Sequence, residues 1–230
     1  MSSIRAELIR ALTRGNLALL ALMTALVAFA MVKAGPQGHP AVQGFKDASI
    51  FLATFLMGRA ATTAASDYRA GTLRTWLISQ PSRMITYAGK LAASLAVACI
   101  GGLVLIGVAW GLSALLGPPV AAAPAATMTG QFLLACVSLT LFGHATGILT
   151  RSVPAALTIT LGWILPAEAV LSGSLTQPDH WLPGLLLRSV TDGVTPTGMT
   201  APTVIAHALG PFLILEAIAL VTFFRRDATC

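Results

Sequence analysis

The fold class is decided first by residues 91–116, LAASLAVACIGGLVLIGVAWGLSALL, which contain no charged side chain. A helix that crosses the hydrocarbon core of a bilayer, about 30 Å thick, needs roughly 20 mostly apolar residues. Hydrophobic residues make up 56% of the 230-residue chain and charged residues only 10%, whereas a typical soluble domain is about 25% charged. So few charges cannot cover a water-exposed surface, and so apolar a chain does not stay disordered. The sequence therefore predicts an integral membrane protein.

Six segments have the length and apolarity of a spanning helix. We therefore predict an all-α integral membrane protein in which residues 1–230 form a single transmembrane domain. The third span is long enough to be tilted or to project beyond the bilayer. Loops are predicted at residues 35–44, 117–124 and 174–200, where glycine and proline recur. The predicted spans are residues 16–34, 47–66, 85–116, 129–150, 154–173 and 202–224.

The basic residues concentrate on one side of the predicted spans, which the positive-inside rule identifies as the cytoplasmic side. Of the fourteen Lys and Arg residues, only Lys33, Lys46 and Arg188 fall on the opposite side, and Arg59 lies inside the second span. Both termini are therefore predicted to be cytoplasmic. The net charge of +6 is then a signature of topology and not of nucleic-acid binding, because no basic cluster is interleaved with exposed aromatic residues. The remaining basic residues, assigned to the cytoplasmic side, are Arg5, Arg10, Arg14, Arg69, Arg74, Arg83, Lys90, Arg151, Arg225 and Arg226.

The first residues of the chain allow two interpretations. A cleaved signal peptide is one, because basic residues precede an apolar run and the Ala-Phe-Ala sequence at residues 28–30 resembles a cleavage site. Removing that run would leave five spans and place the basic residues around an outward N-terminus or an inverted bundle. Ile4, Leu8 and Leu12 instead recur at helical spacing while the charged residues face away. This pattern favours a helix over residues 1–15 that lies in the cytoplasmic interface of the membrane.

The segment between the second and third spans, residues 67–90 with the sequence DYRAGTLRTWLISQPSRMITYAGK, predicts a short amphipathic helix. Gly71 interrupts the preceding helix, Thr72 is a good N-cap and Pro81 ends the new helix. From these residues alone, a membrane-surface helix without a partner and a docking element are equally well supported. The apolar face consists of Leu73, Trp76 and Leu77, at positions i, i+3 and i+4, with Arg74 and Arg83 on the polar side.

This segment resembles one in the permease subunits of ABC type-2 exporters, where it forms the coupling helix that seats in a cleft of the ATPase subunit. The layout of the chain is similar as well, with an N-terminal interfacial helix, six spans and an outer insertion at residues 174–200 that resembles the re-entrant helices of that family. Asp67 stands where glutamate is more usual, which keeps the charge on a shorter side chain. The matching residues are Asp67, Gly71, Thr72, Leu73, Arg74, Pro81, Arg83 and Lys90. The resemblance implies that the first seven of these, with Trp76 and Leu77, couple the chain to the ATPase.

The chain contains no GxxxxGK[ST] phosphate-binding loop, so it is not expected to hydrolyse ATP itself. The resemblance implies two copies of a separate cytoplasmic ABC ATPase subunit, which would hold ATP and Mg²⁺, and a second permease chain, identical or homologous. Membrane lipid is the other expected partner, and neither a nucleic acid nor a metal or cofactor in this chain is expected. The implied function is ATP-driven export across a bacterial plasma membrane, with a drug, antibiotic or peptide as the substrate and antibiotic resistance as the role.

Ionisable side chains at membrane depth cost at least a few kcal/mol, so each is a candidate functional residue. Arg59 and Glu216 lie at similar distances from the inner ends of the second and sixth spans, and their opposite charges predict a buried ion pair. Glu168 follows a proline in the fifth span, and the resemblance places the second and fifth spans at the central cavity. All three residues are therefore candidates for the substrate path or a gate, the alternative for Glu168 being a carboxyl that is protonated or bonded to a neighbouring span. His144 and His207 are predicted to pack or to form hydrogen bonds.

Two other function classes fit a six-span chain. An intramembrane serine protease would use Ser172 and His207 as a nominal pair, but the GxSG sequence of rhomboid-like proteases is absent. A secondary transporter or channel would show an internal repeat and paired broken helices, and neither is evident. ATP-driven export is therefore the preferred prediction.

Glycine residues predict close contacts between spans. Gly101, Gly102, Gly107 and Gly111 lie in the third span, and Gly143 and Gly147 form a GxxxG sequence in the fourth. Small residues allow the backbones of membrane helices to approach closely, which is how many bundles associate. This pattern predicts a packed bundle and needs no further function.

Overall fold

The computed structural model describes residues 13–34, 40–69, 82–116 and 120–226, and every regular element within them is helical. The fifth long helix contains a π-helical segment, Trp163–Ala167, between two α-helical parts. In chain order the helices are α1 (Arg14–Ala34), α2 (Ala41–Arg69), α3 (Arg83–Leu116), α4 (Ala122–Thr150), α5 (Val153–Ser172), α6 (Pro178–Trp181), α7 (Pro183–Thr191) and α8 (Ala201–Arg226).

Six of these helices, α1 to α5 and α8, are long and apolar enough to cross a membrane, which confirms the six predicted spans. All six begin earlier than predicted, four of them by only one or two residues, whereas α2 begins six residues earlier, at Ala41, and α4 seven residues earlier, at Ala122. Part of each of the first two predicted loops is therefore helical. The 29 residues of α4 give a helix roughly 44 Å long, which exceeds the thickness of the hydrocarbon core. The hydropathy pattern marks only the part of a helix that lies in lipid, and this is why the predicted spans were short.

Helix α4 is the centre of the bundle and packs against α2, α3, α5 and α8. Its contact with α2 depends on glycine. A Cβ atom added at Gly143 would lie 2.2 Å from the Met57 main-chain oxygen, and one added at Gly147 would lie 2.6 Å from that of Ala61. The prediction of a close helix contact at the GxxxG sequence is confirmed. In the third span, a Cβ at Gly102 would lie 3.1 Å from Leu133 and one at Gly101 would lie in ordinary contact with Leu56 at 3.6 Å, whereas Gly107 and Gly111 have no neighbour within 4 Å.

Polar contacts and short helices distinguish the two ends of the bundle. At one end, Arg83 Nη1 donates to the Phe224 main-chain oxygen at 3.3 Å, and the Arg151 guanidinium lies 4.7 Å from the centre of the Tyr68 ring. We call this the basic end. The opposite end carries the short helices α6 and α7, and we call it the insertion end.

The glycine contact between α2 and α4 can be tested by adding one methyl group. Gly143→Ala is expected to destabilise the protein by about 1–3 kcal/mol, because the new Cβ meets a backbone carbonyl that cannot move without separating the helices. Thermal unfolding in detergent micelles measures the effect. Gly130→Ala, also in α4 but with no atom within 4 Å of the added Cβ, is the matched control. A Gly143→Ala protein as stable as this control would contradict the packing.

Candidate functional site

The segment that resembles a coupling helix is held by a buried ion pair at its two stems. Asp67 lies in the last turn of α2 and Lys90 near the start of α3. Lys90 Nζ and Asp67 Oδ2 are 2.5 Å apart, and the two side chains are only 8% and 3% exposed, respectively. Both residues belong to the motif on which the resemblance rests, and the fold brings them together across 23 positions of sequence.

Most of the predicted coupling residues lie outside the described residues, as does the predicted interfacial helix up to residue 12. Arg83 is described, and it contacts the end of α8 through the hydrogen bond to Phe224. The predicted coupling helix itself therefore remains a prediction. The residues concerned are Gly71, Thr72, Leu73, Arg74, Trp76, Leu77 and Pro81.

A double substitution tests whether the Asp67–Lys90 pair stabilises the base of this segment. Asp67→Asn alone is expected to cost about 3 kcal/mol or more, because the Lys90 ammonium stays buried without its carboxylate. Adding Lys90→Gln to Asp67→Asn should restore much of the loss. The measurement is thermal unfolding of Asp67→Asn, Lys90→Gln and the double variant in micelles. Losses that simply add in the double variant would show that the two side chains are not coupled.

A second polar cluster joins three spans in the interior. The Tyr87 hydroxyl of α3 donates to Glu216 Oε2 of α8, and His144 Nδ1 of α4 lies 2.9 Å from Glu216 Oε1. The three side chains are buried, and the Tyr87 and His144 rings pack edge to face with centroids 5.5 Å apart. His144 Nε2 is buried and has no hydrogen-bond partner in the part of the chain that the structure describes. The Glu216 carboxyl group is thus held by one polar contact from α3 and one from α4.

The predicted Arg59–Glu216 ion pair is wrong. Glu216 bonds Tyr87 and His144, as described above, while Arg59 Nε donates to Asn16 Oδ1 of α1 at 3.2 Å. The prediction rested on the similar distances of the two residues from the inner ends of their spans. It did not give the direction in which each side chain points: α8 packs mainly against α4, and Arg59 faces α1.

The two histidines behave as predicted. His144 forms the hydrogen bond to Glu216, and His207 Nδ1 lies 2.9 Å from the Thr203 main-chain oxygen within α8. Ser172, the other half of the nominal protease pair, donates to the Ala169 main-chain oxygen within its own helix. Among the described residues, no group of three or more His, Cys, Asp or Glu side chains could hold a metal ion.

Glu168 is fully buried and bonded to the insertion. Its Oε1 accepts from the Gly184 main-chain N–H at 3.0 Å, and its Oε2 accepts from that of Leu185 at 2.7 Å. Of the two predictions for this residue, the structure shows a carboxyl bonded to a neighbouring element, although that element is α7 and not another span. Gly184 allows the approach, because a Cβ there would lie 2.5 Å from Glu168 Oε2.

Two cavities lie on opposite sides of the contact between α1 and α2, and Arg59 and Asn16 line both. One, of about 360 Å³, is bounded by α1, α2 and α3, and the other, of about 560 Å³, by α1, α2 and α5. The second contains threonines whose hydroxyls donate to carbonyls of their own helix, as Thr62 does to Gly58 at 2.6 Å. Its walls are therefore mostly apolar, with a guanidinium and an amide at one place.

Tyr87, Lys46 and Gly184 were missed by the sequence reasoning. Tyr87 stands at the start of an apolar run, three residues before Lys90 in a helix, so it faces the same side as a residue already in the motif. Lys46 donates to the Asp192 main-chain oxygen at 3.4 Å. Nothing local to Lys46 or Gly184 in the sequence indicates their partners, which lie far along the chain.

Removing the Tyr87 hydroxyl tests the interior cluster. Tyr87→Phe should destabilise the protein by about 1–3 kcal/mol, because Glu216 loses a donor at a place that water does not reach. Ser172→Ala, which removes a hydroxyl bonded only within its own helix, should have little effect. Chemical denaturation in micelles compares the two. Equal stability of both variants would mean that the hydroxyl is not needed by Glu216.

No protein-family model matches this chain, and no curated protein is significantly similar to it.

Proposed function

We propose that the chain is the membrane-spanning subunit of an ATP-driven exporter, which forms the substrate path as a dimer and is powered by separate ATPase subunits. The observation that carries this proposal is the Asp67–Lys90 pair. Two residues of the exporter motif meet in a buried contact at the base of the segment between α2 and α3. A docking element needs the two helices that flank it to be joined in this way, so that its movement reaches both of them.

The contacts of the described residues suggest how a push on that segment would reach the bundle. The ion pair makes the end of α2 and the start of α3 a single stem. One turn away from Lys90, Tyr87 binds the Glu216 carboxylate of α8, which also binds His144 of α4. Interfaces of this kind hold one of a few discrete packings and do not deform continuously. Movement of the stem therefore has a polar route to α4 and α8.

The remaining parts of the proposal follow the family resemblance. The basic end faces the cytoplasm of a bacterial cell, with both termini on that side and with ATP and Mg²⁺ held by the two ATPase subunits. A second permease chain, identical or homologous, completes the path. The substrate is a drug, antibiotic or peptide, which would make the complex a resistance system.

The cavity between α2 and α5 is the best candidate for part of the substrate path. The resemblance implies that the second and fifth spans line it, and this cavity of about 560 Å³ lies between them. Arg59 lines the cavity and stays a candidate for a substrate contact. Glu216 and Glu168 are both buried in contacts with other elements. We therefore assign Glu216 to the transmission of movement between helices and Glu168 to the positioning of the insertion.

A secondary transporter is the alternative that a specific observation favours. Proton-driven transporters use ionisable groups inside the bundle, and His144 with Glu216 is such a pair. Transport by reconstituted vesicles separates the two mechanisms. An exporter should require ATP and its ATPase subunit, whereas a secondary transporter should respond to a pH gradient without either.

The coupling segment is tested by co-purifying the chain with an ABC ATPase subunit, sought first in the neighbouring reading frames, and measuring ATP hydrolysis in nanodiscs. Trp76→Ala and Leu77→Ala should each weaken the complex at least about tenfold, since a large apolar side chain at the centre of an interface often contributes about 2 kcal/mol or more. Trp181→Ala is the matched control, because Trp181 is an exposed tryptophan at the insertion end. Wild-type assembly and ATP turnover in both coupling variants would refute the docking role.

A further inference from the structure

Helix α7 lies across the insertion end of the bundle. Its apolar side chains Leu186, Leu187 and Val190 are buried in the main core, and the helix packs against α2, α4 and α8. Arg188 is exposed on the other side. The helix is therefore seated on three spans by its apolar face, while its two ends are held in a different way.

The N-terminal end of α7 is capped by a carboxylate from another helix. The N-cap residue Leu182 offers no side-chain hydrogen bond, and Pro183 has no N–H to satisfy. Glu168 accepts hydrogen bonds from the next two N–H groups, those of Gly184 and Leu185. Glu168 therefore does for α7 what an Asp or Ser N-cap does locally, and it places negative charge at the positive end of the helix dipole.

The C-terminal end of α7 is the negative end of the helix dipole, and a positively charged side chain from α2 contacts it. The helix closes in a Schellman turn, in which Val194 N–H donates to Ser189 O at 2.8 Å and Gly193 N–H to Val190 O at 3.0 Å. Gly193 has a φ of 86°, which favours glycine. Lys46, near the start of α2, donates to the main-chain oxygen of Asp192. A cation from α2 thus lies at the negative end of the dipole.

The part of α5 that carries Glu168 is separated from the rest by an irregular segment. Residues Trp163–Ala167 are π-helical and include Pro166. The Glu168 main-chain N–H bonds the Trp163 oxygen, five residues back. Single π-helical turns and prolines are the usual places at which a helix bends. The last turn, Glu168–Ser172, therefore follows a built-in bending point.

We propose that Glu168 and Lys46 hold α7 as a strap between α5 and α2, and that the last turn of α5 moves with this strap by bending at Trp163–Ala167. Glu168 is then a positioning residue for the insertion and not a substrate contact. Separation of α2 and α5 at the insertion end must either break one of the two contacts or bend the π-helical segment. This inference goes beyond the proposed function, and its tests require no ATPase partner.

The first test measures amide hydrogen exchange of the full-length chain in lipid nanodiscs. Glu168→Gln keeps the shape of the side chain but removes its charge and one acceptor, so exchange at Gly184 and Leu185 should rise at least about tenfold. The control, Asp179→Asn, removes a charge in α6 at the same end and should leave α7 unchanged. Wild-type protection of Gly184 and Leu185 in the Glu168→Gln protein would overturn the proposal.

The second test removes the other anchor. Lys46→Met should raise exchange at residues 192–194 by about two- to fivefold, the size expected of a charge at a helix end. Lys33→Met, which removes an exposed lysine from the end of α1, is the control. Combining Glu168→Gln with Lys46→Met should raise exchange along all of α7 beyond the product of the two single effects. Exchange equal to that of Glu168→Gln alone would show that Lys46 anchors nothing.

The third test addresses the bending point and the chance that Glu168→Gln does not fold. Pro166→Ala restores a backbone donor and should slow exchange over residues 163–168 without changing α7; unchanged exchange there would overturn the hinge. Gly184→Ala displaces Glu168 while keeping its charge, and it should free α7 in the same way as Glu168→Gln. Loss of protection throughout α4 in both Glu168→Gln and Gly184→Ala would make Glu168 a requirement of the whole bundle, and the strap would be refuted.

Discussion

Charged side chains inside the spans must find partners within the protein, because hydrocarbon offers neither water nor counterions. In the described part of this chain, that requirement connects helices which the apolar packing alone would leave interchangeable. Asp67 joins α2 to α3, and Glu216 joins α8 to both α3 and α4. Glu168 joins α5 to α7. Apolar side chains and the glycines of α4 supply most of the contact between helices, and these few carboxylates add specific links between particular elements.

The three carboxyl groups lie in two different regions of the molecule, and we assign each region a different role. Asp67 and Glu216 belong to a polar route that starts at the base of the segment between α2 and α3. Glu168 belongs to the opposite end, where α7 covers three spans. If the chain is an exporter subunit, the first two lie on the side of the energy source and the third on the side of release.

The spans could be predicted from the sequence because every spanning helix, even the largely buried α4, is apolar over a length that can cross the bilayer. Partners could not, because hydropathy and depth say nothing of the direction in which a side chain points. Arg59 and Glu216 have opposite charges at similar depths, yet they face different helices. The role of Glu168 is harder still to foresee: its partners are backbone N–H groups 16 and 17 residues away. The one local hint is an α7 N-terminus with no capping side chain of its own.

The contact of α4 with α2 at Gly143 and Gly147 has a consequence for how the protein responds to its bilayer. With backbone against backbone, neither helix can change its tilt without the other. A thinner or thicker membrane must then be accommodated by the four less buried spans, α1, α3, α5 and α8. The crossing angle of α2 and α4 would stay constant while the surrounding helices change their tilt. Lipid composition should therefore alter the outer helices before it alters the central pair.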